Sequence, residues 1–157
     1  MFGEHHYRLT STWTGNTGTG TSDYRAYSRD ITVEIAGKPP LLASADKPFR
    51  GDPARWNPED MLLAALSECH LLSYLYVAVT AGVVVTDYRD DASGTMREDG
   101  KGGGQFTEVV LRPHVTVASA DMVDAATAAH QRANELCYIA NSVNVPVRHE
   151  PVIRVAT

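Results

Sequence analysis

Two cysteines, Cys69 and Cys137, are the residues of this 157-residue chain best suited to covalent chemistry at neutral pH. Two thiols can form a redox pair, oxidised to a disulfide that a reductant reopens. Zinc binding is the competing chemistry, since Cys69, His70, His130 and Cys137 could gather around one ion. The spacing argues against it: Cys69 and His70 are adjacent rather than three or four apart, and the chain has no Cys-x-x-Cys. The bland alternative is a pair of inert core cysteines, because cysteine is among the most buried residue types. The glycine run in Glu98-Asp99-Gly100-Lys101-Gly102-Gly103-Gly104 has the composition of a phosphate cradle, but a strand pattern follows it, not a helix amino terminus. Neither a metal nor a cofactor is expected.

The elements that must position the cysteines can be read from capping and periodicity. Asn57 is a good helix N-cap, Pro58 suits the first helical position and Asp60 the first turn, so a helix is predicted from there to about Ala81, stopped by Gly82. Met61, Leu62, Leu63, Leu66, Leu71, Leu72, Leu75 and Val79 lie nearly all round it, which predicts a helix packed on most sides. Ser67, Glu68 and His70 near its middle, and the lack of basic flanks, favour a globular core over a membrane span. A second helix is predicted after Ser119, carrying Ala126, Ala129, Ala133 and Cys137 on one side, where small residues allow close packing.

Strands are predicted over 6–14, 24–35 and 41–45 before the first helix, and over 83–88, 92–97 and 106–118 after it. The segment 98–104 reads as a hairpin loop, 47–56 as a polar loop. A closing strand over 145–156 should lie at a sheet edge, because Pro146 and Pro151 cannot donate to a ladder. This order gives an α+β domain, antiparallel strands around two central helices.

Length and composition set outer bounds. There are no repeats and no linker, so one domain over 1–157 is expected. The net charge of −5 is spread without a basic cluster, which argues against nucleic acid or an anionic membrane as partner. The amino terminus has no basic region leading into an apolar stretch, so a cytoplasmic location is expected. That compartment keeps thiols reduced, which makes a structural disulfide a poor reading of the two cysteines.

Two stretches carry a resemblance. Asn57-Pro58-Glu59-Asp60 leads along the first helix to Ser67-Glu68-Cys69-His70, and Ala133-Asn134-Glu135-Leu136-Cys137-Tyr138-Ile139-Ala140-Asn141 surrounds the second cysteine. In order, separation and expected elements these resemble the two cysteine motifs of the OsmC/Ohr family, the osmotically inducible and organic hydroperoxide resistance proteins. The resemblance implies antiparallel sheets wrapped around two central helices that carry the cysteines, in an intertwined homodimer. It implies a metal-free hydroperoxide reductase with Cys69 as peroxidatic thiolate, Cys137 as resolving thiol and Glu59 as the acidic active-site residue. It also implies a dithiol reductant such as dihydrolipoamide.

For the activating arginine, Phe49-Arg50-Gly51 resembles the OsmC-type position just before the Asn-Pro-Glu motif, with Arg55 and Arg25 behind it. The plain readings are a solvated loop arginine for Arg50 and a helix-dipole partner for Glu59. Ten residues of helix rise about 15 Å, so Glu59 cannot reach Cys69 along its own helix and would have to come from a partner subunit. Two residues depart from the family pattern: His70 stands where an apolar residue is usual, and Tyr138 where proline is frequent. The reading from a different class is a stress-associated binding module that keeps the fold without significant turnover.

Overall fold

The computed structural model describes residues 3–157, in two compact units of residues 1–62 and 63–157 whose boundary falls within the first turns of one helix. In the amino-terminal unit β1 (Thr10–Trp13), β2 (Ile31–Glu34) and β3 (Leu41–Ala43) form an antiparallel sheet in the order β1-β2-β3. These strands are shorter than the alternation predicts. Before β2 the chain is held as a loop instead, because Arg29 has a better use there than in a ladder. Its guanidinium lies 4.3 Å from the centre of the Tyr24 ring and 4.1 Å from that of Tyr27, and donates to both residues' carbonyls.

Helix α1 (Pro58–Thr80) begins and ends as its sequence requires. The Asn57 Oδ1 accepts the Asp60 N–H at 2.7 Å, satisfying one of the orphan donors of the first turn. At the other end Gly82 takes φ +70°, so the Val83 N–H reaches the Ala78 carbonyl and the Gly82 N–H that of Val79, a Schellman close. Buried residues occupy one stripe, Leu66, His70, Tyr74, Val77 and Ala78. The expectation of a helix packed on most sides is corrected within this chain: Leu72, Tyr76 and Val79 are more than half exposed and Leu75 partly so. The helix is long and apolar enough to cross a membrane by length and composition, yet its buried stripe includes hydrogen-bonded His70 and Tyr74.

In the carboxy-terminal unit β4 (Val85–Asp90), β5 (Ser93–Glu98), β6 (Gly104–Leu111) and β7 (Pro113–Val117) precede α2 (Val123–Leu136), and β8 (Val147–His149) and β9 (Val152–Val155) follow it. They form two sheets, β4-β7-β9 and β5-β6-β8. The single strand predicted over 106–118 is therefore two strands in different sheets. The break is at Arg112-Pro113, where Pro113 has no N–H and the Arg112 N–H leaves the ladder for the Asp90 carboxylate at 2.7 Å. The predicted closing strand divides likewise at Pro151, and both halves lie at sheet edges, as the prolines predict.

The wholly antiparallel expectation is also corrected. β8 pairs with β6 and β9 with β7 in parallel, because α2 supplies the crossover such pairs need. The core of this unit joins Tyr74, Val77 and Ala78 of α1, Val115 and Val117 of β7, and Ala126, Ala129 and Ala133 of α2. The small alanines give α2 its close approach.

Candidate active site

The carboxyl end of α2 places the second cysteine. The helix stops at Leu136, and Cys137 is its C-cap with extended backbone, φ −72° and ψ 105°, not a residue within the helix as predicted. Polar groups downstream take over the helix's unpaired carbonyls. The Asn141 side-chain amide donates to the Glu135 carbonyl at 3.0 Å, and the Asn141 N–H to the Cys137 carbonyl at 3.0 Å. The chain then turns through Ala140–Ser142, so that the Ala140 N–H points at the Cys137 sulfur, 3.4 Å away.

The two thiols meet at this turn. Cys137 is buried at 1% exposure and its thiol lies beside that of Cys69, which is only partly buried on α1. Burial first, and then the Cys69 side chain, push the Cys137 thiol up to about 11, against the N–H groups of Ala140 and Ile139 that favour its thiolate. Cys137 thus keeps its proton at neutral pH. Cys69 lines a cleft of about 810 Å³ that it shares with Leu72, Tyr76, Leu136, Tyr138 and Ile139, and with Glu68 and Glu135 among its polar residues. Both cysteines are free thiols.

Arg50 and Glu59 belong to the amino-terminal unit. Arg50 ends a tight turn over Lys47–Phe49 in the left-handed conformation, φ 64° and ψ 27°, the one non-glycine residue with positive φ among the described residues. Such a conformation costs on the order of 1–3 kcal/mol and persists only where surroundings impose it. Here the Phe49 and Gly51 N–H groups both close on the Asp46 carbonyl, and a Cβ on Gly51 would stand 1.5 Å from the Ala45 carbonyl oxygen. The Arg50 guanidinium lies 5.9 Å from the centre of the Tyr24 ring. Glu59 is in the first turn of α1, with one carboxylate oxygen buried and unpartnered among the described residues. Arg55 is occupied by Asp30 and Asp52 at 3.7 and 3.6 Å. Arg25 shows a backbone bond to the Asp23 carboxylate.

The sequence marks His70 only as standing where an apolar residue is usual, and the structure gives it company. His70, His130 of α2 and His149 of β8 form a buried cluster behind Cys69. The His70 Nε2 and His130 Nδ1 are 3.0 Å apart, and the His70 ring centre is 4.2 Å from that of His149. Burial is the main cause that lowers all three, His70 to about 3 and His130 to about 4, and their mutual repulsion adds to it for His70 and His130. His149 carries no signal in the sequence, because only β8 pairing with β6 brings it there. Among the described residues no three histidine, cysteine or acidic side chains are arranged to hold a metal ion.

Comparison with known proteins places this geometry. The sequence model of the OsmC-like protein family matches residues 51–150. The uncharacterised YmaD protein of Bacillus subtilis is 24% identical over 156 residues, 96% of either chain. Among solved structures, an OsmC-like protein of unknown function from Vibrio cholerae superimposes with a TM-score of 0.84 at 34% identity, covering 95% of this chain and 100% of that one. An organic hydroperoxide resistance protein from Legionella pneumophila superimposes with a TM-score of 0.67 at 18% identity, covering 97% and 100%, a likeness of fold.

Proposed function

The chain belongs to the OsmC-like protein family, and on that premise we propose that it is a thiol-dependent peroxidase of organic hydroperoxides. The observation that carries this reading is the asymmetry of the thiol pair: Cys69 lines a largely apolar cleft, and Cys137 beside it is buried and keeps its proton. A peroxide reaches Cys69. Its thiolate takes the distal oxygen, the O–O bond breaks, and the alkoxide leaves as the alcohol after gaining a proton. The Cys137 sulfur then attacks the Cys69 sulfenic acid, and its proton departs with the hydroxide as water. An external dithiol, dihydrolipoamide in the family's manner, reduces the disulfide and is itself oxidised.

The apolar residues around Cys69 favour bulky organic hydroperoxides over hydrogen peroxide, because the peroxide's carbon skeleton gains burial only if it has one. Arg50 is the arginine assigned to the thiolate and Glu59 its acidic companion. The exposed apolar face of α1, Leu72, Leu75, Tyr76 and Val79, suits a second copy of the chain. In such a homodimer Glu59 serves the partner's Cys69.

The test is consumption of cumene hydroperoxide with dihydrolipoamide as reductant. Wild type should turn over, Cys69→Ser should not, and Cys137→Ser should consume one equivalent and retain a sulfenic acid that a 1,3-dione traps. Equal rates for wild type and Cys69→Ser would remove the peroxidase reading and leave the binding module.

A further inference from the structure

The buried stripe of α1 meets α2 through the His70 ring with His130 and the Tyr74 hydroxyl with the Ala126 carbonyl at 3.0 Å, and the Cys69 thiol lies beside Cys137 at the end of α2. Residue numbers rise along α1 as they fall along α2, so the two helices run antiparallel here. His130 lies seven residues before Cys137, two helical turns, and hence near the same side of α2. The thiol contact and the histidine contact thus belong to one seam.

The histidine pair is a costly way to build that seam. A neutral imidazole has one N–H, and whichever ring donates across the 3.0 Å contact, one further N–H is left without a partner. If His70 donates from Nε2, His130 must carry its proton on Nε2, which is buried and unbonded among the described residues. If His130 donates from Nδ1, the proton of His70 sits on its buried and unbonded Nδ1. An orphaned buried donor carries its full desolvation cost with no bond to offset it. Two apolar side chains of similar volume would fill the space without that cost. What an apolar pair does not supply is direction. Apolar contacts tolerate sliding by fractions of a turn, whereas a bond between two ring nitrogens fixes both rotation and translation of the helices.

Disulfide closure depends on such a fix, since the bond tolerates Cα separations of only roughly 4.4–6.8 Å. Little else on α1 supplies it. Of the five buried residues on that helix, Leu66, Val77 and Ala78 are apolar, and His70 and Tyr74 alone carry ring or hydroxyl bonds to α2. His70 immediately follows Cys69, so any rotation of α1 about its axis moves both.

We propose that the His70–His130 hydrogen bond is a positioning clasp, which holds α1 and α2 in the register that lets Cys69 and Cys137 close into a disulfide. Neither histidine touches the peroxide. The proposal deepens the redox-pair reading of the same site, and its test does not need peroxide turnover. The full-length reduced protein is equilibrated in glutathione buffers, where the two thiols and oxidised glutathione give the protein disulfide and two reduced glutathiones. The effective concentration of the thiol pair is read from the oxidised fraction.

His70→Leu, and His70→Leu with His130→Leu, should lower the effective concentration at least tenfold. His70→Gln places an amide nitrogen near the position of Nε2, restores the bond, and should stay within threefold of wild type. Val117→Ala, in the core of the same unit away from the cysteines, is the control that loses stability without touching the clasp, and it should also stay within threefold. A fall in the histidine variants no larger than in Val117→Ala overturns the clasp, as does a Gln variant as poor as the Leu variant. Loss of cumene hydroperoxide turnover with an intact dependence on the clasp would overturn the peroxidase reading alone.

Discussion

Acidification from pH 7 to pH 5 should destabilise this protein sharply, and two buried histidines supply most of the reason. In the unfolded chain His70 and His130 titrate near the ordinary value of about 6.5. In the folded protein burial and the neighbouring imidazoles hold them at about 3 and about 4. Between those values the unfolded state binds protons that the folded state does not, so unfolding free energy falls as pH falls. The contribution is complete above about 6.5 and is lost progressively down to the folded values. At pH 5 the folded histidines are still largely neutral, so proton uptake by the unfolded chain dominates.

That uptake amounts to about 2 kcal/mol for each residue over the two pH units, or about 4 for the pair, and a typical domain has only 5–15 kcal/mol in all. His149 is lowered too, chiefly by burial, although the Asp90 carboxylate partly offsets it. Tyr74 and Tyr88, the other titratable groups here, stay neutral throughout, since burial raises both. Urea unfolding at pH 7 and pH 5, at fixed protein concentration, measures the difference. His70→Leu with His130→Leu should lose about 4 kcal/mol less than wild type over the same interval. Equal losses in the two proteins would refute the neutral buried cluster.

Two further perturbations address the amino-terminal unit. Gly51→Ala should destabilise by about 1–3 kcal/mol in thermal or urea unfolding, because its Cβ would stand 1.5 Å from the Ala45 carbonyl oxygen and the turn that strains Arg50 must open. An unchanged midpoint would show the turn to be loose. Mixing Glu59→Ala chains with Cys69→Ser chains should restore peroxidase activity that neither homodimer has, one intact site per heterodimer. A catalytically active monomer by sedimentation would sink the shared site.

Much of the fold was legible wherever a local rule decided it. Asn57 caps α1 and Gly82 ends it because those are local requirements of four carbonyls and four N–H groups. The strands were less legible. The alternation over 106–118 is that of one strand, yet the segment turns from one sheet to another at Arg112-Pro113, and alternation does not record which sheet a face belongs to. The parallel pairing of β8 and β9 depends on where α2 returns the chain, which no local pattern carries. The apolar residues all round α1 predicted a helix packed on most sides, but within this chain only one stripe is covered.

The site shows the same division between motif and geometry. Spacing and neighbours singled out Cys69 and Cys137, and the placement of Cys69 on a helix read naturally from periodicity. The position of Cys137 just past the last residue of α2 did not, because Asn141 ends the helix by donating from six residues further on. That position has a chemical consequence. Cys69 is held by helical backbone on both sides and can change little beyond its side-chain rotamer. Cys137 has extended backbone, and the N–H groups of Asn141 and Ala140 in the turn after it close on its carbonyl and its sulfur. A resolving thiol that is buried, protonated and at a helix end has no need of an early thiolate.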